Sequence, residues 1–156
     1  LENYRKIIRE MYRVLKVNGT VVITTPNILN LKSRIRFLLF GFYNLFGPLR
    51  FGGSRPYSSN GHITPVSLFY LIHALNEAGF DQVSVTIDKC QKTSLGWLVF
   101  LYFPIKLISF LMSVREARRY KSIDQENKRC VALMHSFSLL VGRTIIVGAK
   151  KGSVHR

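Results

Sequence analysis

Apolar positions near the start of the chain follow two periods, and they predict a helix followed by a strand. Within residues 3–16 the apolar side chains repeat at helical spacing, and basic residues fall mostly outside that stripe: Tyr4, Ile7, Ile8, Met11 and Leu15. Asn18 and Gly19 predict a helix C-cap, in which the glycine adopts the left-handed conformation. Residues 20–25 form a β-branched run typical of a strand that is buried on both faces of a parallel sheet, and Pro26 predicts its end.

The middle of the chain predicts two further helices separated by a loop. The segment after the first strand predicts a helix to about Phe40 and then an irregular stretch, and residues 52–61 have the composition of a loop. Thr64 and Pro65 predict the N-cap and the first position of the next helix, which Gly79 closes.

Two more strands define the fold class. Residues 82–88 alternate, with Val83, Val85 and Ile87 on one face, and residues 143–150 predict the last strand. The order helix, strand, helix, strand, long insertion, strand predicts an α/β fold with a partly parallel sheet. Three strands are few for a sheet that is covered on both faces, so we expect an incomplete sheet.

Charge and cysteine content narrow the classes of partner. The 156 residues carry 23 Lys and Arg against 8 Asp and Glu, a net charge of +15, and 47% are hydrophobic, which excludes a disordered basic tail. Such a charge is typical of proteins that bind nucleic acid or an anionic membrane, although it also occurs on a solvated surface without a partner. Cys90 and Cys130 lie far apart and show no metal-ligand spacing, which excludes a disulfide framework, predicts no metal site and suits a reducing compartment.

Two stretches of the chain resemble class I S-adenosylmethionine (SAM)-dependent methyltransferases. Residues 13–27 (RVLKVNGTVVITTPN) resemble the family's "RVLKPGG-strand-TPN" segment, with Val17 and Asn18 in place of the usual proline and glycine. Residues 62–65 (HITP), a helix and then residues 77–80 (EAGF) resemble a later segment of the same family. The resemblance divides the chain into a C-terminal methyltransferase half (1–90 and 143–150), an apolar and basic helical insertion (91–142) and a tail (151–156).

The resemblance implies strands five to seven of a partial Rossmann-like methyltransferase sheet, with the last strand antiparallel. The family's cofactor half carries a glycine-rich loop after its first strand, and no GxGxG occurs in this sequence. In the family that loop supplies the backbone N–H groups that bind the cofactor. The resemblance therefore implies that SAM is the cofactor of the intact domain. This chain alone is expected to bind no cofactor.

The resemblance also implies where a methyl acceptor would bind. Thr25, Pro26 and Asn27 follow a predicted strand at the sheet edge where α/β enzymes place ligands, and they are candidates for lining the acceptor pocket. His62 is a weaker candidate for the general base, and Tyr57 in the same loop for the pocket. The alternatives are a turn formed by the Pro-Asn pair and a histidine that only fixes its loop.

The insertion predicts a contact with a membrane. Residues 95–114 are almost entirely apolar and long enough to span a bilayer, but Pro104 and Lys106 fall in the middle. We therefore favour a helical hairpin that lies on or dips into one leaflet. The expected membrane contacts are aromatic and basic: Trp97, Phe100, Tyr102, Phe103, Lys106, Arg115, Arg118 and Arg119. A helical cap on the rest of the domain is the alternative.

These observations predict the acceptor-side half of a SAM-dependent methyltransferase, at the cytoplasmic face of a membrane as a peripheral protein. The expected acceptor is a small, lipid-linked or amphipathic hydroxyl compound, and the expected partner is an anionic membrane surface. A non-catalytic membrane-surface or interaction module on the same scaffold is the second interpretation. A nucleic-acid methyltransferase remnant explains the charge but not the aromatic residues of the insertion, so no specific nucleic acid is expected.

Overall fold

The computed structural model describes residues 3–48, 62 and 64–152. Its elements, in chain order, are α1 (Tyr4–Val14), β1 (Thr20–Pro26), α2 (Leu31–Phe40), α3 (Leu68–Glu77), β2 (Phe80–Ile87), α4 (Lys92–Arg115), a π-helical turn (Glu116–Tyr120), α5 (Lys128–Leu133), α6 (Phe137–Val141) and β3 (Thr144–Lys151). The predicted alternation of helices and strands is therefore confirmed, and helices α4, α5 and α6 lie between the second and third strands.

The three strands form one sheet in the order β1-β3-β2. β3 is antiparallel to both neighbours, with Val147 opposite Ile23 of β1 and opposite Val85 of β2. The prediction of an antiparallel last strand is confirmed. The prediction of a partly parallel sheet is wrong for the described strands, because β3 lies between the two strands that share a direction.

Only one face of this sheet is covered by helices in the described part of the chain. Ile145, Val147 and Ala149 of β3 are buried, and they pack with apolar residues of α1 and α3. On the opposite face Val22 is 63% exposed, and exposure alternates along β1. The prediction that this strand is buried on both faces is therefore wrong, because the described helices pack on the same side.

The turn between α1 and β1 differs from the predicted helix cap. Asn18, not Gly19, adopts the left-handed conformation, with φ 63°. The Asn18 N–H donates to the carbonyl of Lys151 (3.0 Å), and the Lys151 N–H donates to that of Gly19 (2.9 Å). Gly19 is required for space, since a Cβ there would lie 2.8 Å from Cγ of Leu15. The pair therefore continues the β1–β3 ladder rather than closing the helix.

The start of α3 also lies later than predicted. Its N-cap is Ser67, so Thr64 and Pro65 precede the helix instead of opening it. Gly79 does follow the helix as predicted and takes φ +96°, a conformation that glycine adopts at little cost. α3 contributes Leu71 and Leu75 to the core beside the sheet.

The end of the insertion belongs to the same core. Leu139, Leu140 and Val141 of α6 are essentially inaccessible to solvent. α6 contacts both α4 and β2, so the insertion is anchored to the sheet at the point where the chain enters β3.

Candidate functional site

The end of β1, where the acceptor pocket was predicted, is held by a buried asparagine. Asn27 is 2% exposed. Its amide nitrogen donates to the carbonyls of Leu139 (2.8 Å) and Gly142 (2.9 Å), and its Oδ1 accepts from the N–H of Leu29 (2.9 Å). The side chain thus joins β1 to the end of α6. These bonds favour a structural role for the Asn27 amide, while Thr25 and Pro26 beside it are half-buried.

A chain of polar contacts continues from Asn27 into α2. Asn30 donates from its amide to the carbonyl of Asn27 (2.7 Å) and caps α2 by accepting from the N–H of Ser33 (2.8 Å). Ser94 at the start of α4 accepts from the N–H of Lys32 (3.2 Å). Sequence reasoning missed this network, although an asparagine three residues before Ser33 at a helix start is a recognisable capping signal.

His62 follows residues 49–61 in the sequence, which lie outside the described residues. It is exposed, and its ring centroid lies 5.6 Å from that of the buried Phe46. Among the described residues no hydrogen bond joins His62 to the end of β1. The prediction that both line one pocket therefore stays a prediction, and Tyr57 lies outside the described residues.

A cleft outside this region lies away from these residues. It has a volume of about 680 Å³ and lies between α3, β2 and α5. Nδ1 of His73 is 3.5 Å from the Glu77 carboxylate at its border. Cys130 also lines it, and burial raises the pKa of that thiol. Within the described residues no group of three or more His, Cys, Asp or Glu side chains is placed to hold a metal ion.

The α4 helix has an inner and an outer side. Leu98, Leu101 and Ile105 are half-buried and repeat at helical spacing, and α4 contacts α2 and α6. On the outer side Val99 is 80% and Phe103 75% exposed. Every residue predicted to contact a membrane is exposed: Trp97, Phe100, Tyr102, Phe103, Lys106, Arg115, Arg118 and Arg119.

The helix passes a simple length-and-composition test for a membrane span. The described part of the chain contains one such helix, which runs over Lys92–Tyr120 with a mean hydropathy of 1.9. However, the chain after it returns to the domain, where α5 contacts α3 and the guanidinium of Arg34 donates to the carbonyl of Met134 (2.7 Å). Both ends of α4 are thus tied to one side, which favours a helix that lies along the domain surface.

Comparisons with solved structures show similarity to a methyltransferase structure. No protein-family profile matches the chain, and no curated protein matches it. A crystal structure of a SAM-dependent methyltransferase from Archaeoglobus fulgidus is similar in fold, with a TM-score of 0.48 and 16% sequence identity, over 96% of this chain and 52% of that one. The chain therefore spans about half the length of that protein.

Proposed function

We propose that this chain is the acceptor-side half of a SAM-dependent methyltransferase domain. The proposal rests on the family-like segments at residues 13–27 and 62–80, together with a sheet that has the antiparallel last strand which the resemblance implies. In methyl transfer the sulfonium is already a good leaving group, so alignment of the acceptor supplies much of the rate. An acceptor-side half therefore needs a shaped pocket more than a strong catalytic group.

The open side of the sheet supports this proposal. β1 pairs with β3 along one edge, and within the described residues its other edge pairs with no strand. The face that carries Val22 is also without a covering helix there. Unpaired strand edges are normally blunted or covered, because they template pairing with other chains. A donor-side half that adds strands beside β1 and helices over Val22 would satisfy both.

Within this proposal the residues near the end of β1 have distinct roles. Thr25 and Pro26 line the acceptor pocket, and Asn27 positions them, since its amide is used in bonds to the α6 segment. His62 is exposed and therefore accessible to a hydroxyl acceptor, whose proton its neutral imidazole would take as the oxygen attacks the methyl group.

The outer side of α4 supports an amphipathic or lipid-linked acceptor. Trp and Tyr residues such as Tyr102 are enriched at membrane interfaces, and the ammonium of Lys106 lies 5.7 Å from the Tyr102 ring centroid. Arg115 and Arg119 flank the ring of Tyr120 at 5.9 and 5.7 Å beyond the helix end. Basic residues at that position contribute about 1 kcal/mol each at an anionic surface.

A methyl-transfer assay tests the enzymatic proposal. The product of the whole open reading frame that contains this chain is incubated with methyl-tritiated SAM and a membrane lipid extract. We expect label in the organic phase, and a loss with His62→Gln of about 10²-fold or more if that residue is the base. His73→Gln is the matched control, because His73 is an exposed histidine within α3 and is expected to leave the rate unchanged. Absence of label with the unmodified protein would contradict the proposal.

The second candidate function is a non-catalytic membrane-surface module. The observation that favours this module is the exposed apolar side of α4. Membrane binding through that side would not require a cofactor-binding half. Co-sedimentation with neutral and anionic vesicles tests the surface. Phe103→Glu should weaken vesicle binding at least about tenfold, because it replaces an exposed ring that would insert into the bilayer with a charge. Tyr70→Glu, an exposed aromatic on α3, is the control and should bind normally.

The vesicle experiment also separates membrane from nucleic acid. If short RNA displaces the protein from vesicles at low salt, the basic surface prefers nucleic acid to the membrane, and the membrane assignment is wrong. Vesicle binding together with methyl transfer favours the enzyme. Vesicle binding by a whole reading-frame product that fails to bind SAM favours the module.

A further inference from the structure

A second cleft lies between α2, the inner side of α4 and the segment around α5, and it combines apolar walls with charged side chains. Its volume is about 410 Å³. Its walls are apolar, and the side chains that form them come from three parts of the chain: Ile105, Ile108, Met112, Ile123 and Val131. The polar residues at the cleft include Arg34, His135 and Glu116.

Arg34 enters this cleft as a partly buried cation without a carboxylate partner. Its Nε donates to the carbonyl of Leu29 (2.6 Å) and one terminal nitrogen donates to that of Met134 (2.7 Å). A guanidinium carries about five N–H donors, so several are left over. No carboxylate of the described residues lies within 4.0 Å of it. Burial lowers the pKa of Arg34, as expected for a cation that is removed from water without a counterion.

His135 adds a buried polar atom that lacks a partner. Its Nδ1 is inaccessible to solvent and makes no hydrogen bond to the described residues. Burial lowers the pKa of His135, and the positive charges of Arg34 and Lys106 lower it further. Buried polar atoms are rarely left without a partner, so this one requires an explanation.

The charges around the cleft favour an anion. The positive charges of Arg34 on α2 and Lys106 on α4 lower the pKa of His135. Glu116 is the one carboxylate among the described residues that line the cleft, and it accepts a hydrogen bond from the Ser122 hydroxyl (2.7 Å). An anionic group would pair with the free donors of Arg34 and accept from a protonated Nδ1 of His135. The apolar walls would at the same time enclose a hydrocarbon chain.

We propose that this cleft binds an anionic amphiphile, with a phosphate-type head group on Arg34 and His135 and an acyl or alkyl chain along Ile108 and Met112. The site goes beyond the proposed methyl transfer and requires neither SAM nor the donor half. A phosphate head group can belong to a lipid or to free phosphate, and the apolar walls distinguish the two, since only an amphiphile uses them.

The test reads the His135 ring by NMR in the full chain, dissolved in a neutral maltoside detergent. Dodecyl phosphate is titrated, with dodecyltrimethylammonium and inorganic phosphate as separate arms, and His135→Gln identifies the signal. We expect dodecyl phosphate to shift the His135 resonance and raise its pKa, because an adjacent anion favours the imidazolium. The proposal is overturned if dodecyl phosphate leaves His135 unchanged, or if either other arm produces the same shift.

A matched pair of variants on α4 checks the location. Ile108→Glu places a negative charge on the cleft wall, and should weaken dodecyl phosphate binding about tenfold or more. Phe110→Glu makes the same change two residues away, outside the cleft lining, and should bind normally. Both positions are exposed, so both variants are expected to fold. Equal weakening by the two variants would show that the detergent-facing surface, rather than the cleft, attracts the anion.

Discussion

Replacing Asn27 tests whether the end of β1 depends on its amide. Asn27→Ala removes two donated bonds to the carbonyls of Leu139 and Gly142 and one accepted bond from the N–H of Leu29. Asn27 is 2% exposed, so bulk solvent does not reach these groups in the native structure. The variant therefore leaves backbone groups of two chain segments unsatisfied at once.

The expected cost follows from these bonds. A typical hydrogen bond contributes about 0.5–1.5 kcal/mol net, and a buried group left without a partner costs about 1–3 kcal/mol. Three bonds then give a loss of about 3 kcal/mol in the free energy of unfolding. Asn27→Asp should cost more near neutral pH, because a carboxylate would face two carbonyl oxygens at 2.8 and 2.9 Å.

Urea unfolding in neutral detergent, followed by circular dichroism, measures this loss. Asn76→Ala is the control, because Asn76 is exposed on α3 and its removal should change stability by less than about 0.5 kcal/mol. The aspartate variant should regain stability as pH falls and its carboxyl protonates, since a raised folded-state pKa disfavours the native state at high pH. A loss below about 1 kcal/mol for Asn27→Ala would refute the structural role of this amide.

Three further predictions concern other parts of the fold. Gly79→Ala should destabilise the protein by about 1–2 kcal/mol, because residue 79 has a positive φ. Gly96→Ala, in an open helical position, is the control and should not destabilise it, so equal effects would contradict the prediction. Exposed Cys90 should react with a disulfide reagent faster than Cys130, whose pKa burial raises, and the reverse order would contradict the packing of α5. Burial alone would raise the pKa of Asp88, but hydrogen bonds from backbone N–H groups lower it. The stability it contributes should therefore be lost as pH falls below about 4, and Asp88→Asn should flatten that part of the pH profile.

The sequence pattern predicted the strands well, because period-two alternation reports a sheet face directly. Val83, Val85 and Ile87 lie on one face, as predicted, and all three belong to the core or its border. The single-face burial of β1 could not be predicted from its composition. Val21 and Val22 look alike in sequence, but only the packing of helices on one side makes the first half-buried and the second exposed.

Local caps and the candidate site were harder to predict for a physical reason. Glycine tolerates a left-handed conformation best, so the sequence predicts that conformation at Gly19. In the structure Asn18 adopts it instead, because its N–H pairs with the carbonyl of Lys151. Asn27 follows a predicted strand, and this position alone makes it a candidate residue. Its buried partners, however, come from a segment more than a hundred residues later, which no local pattern reveals.

The most direct measurement is a calorimetric titration of the 156-residue chain with SAM, beside the product of the whole reading frame. If the chain is the acceptor-side half, the methyl donor has no pocket on it, and we predict no binding at micromolar concentrations by the chain and clear binding by the whole product. Micromolar binding of SAM by these residues alone would contradict the central claim.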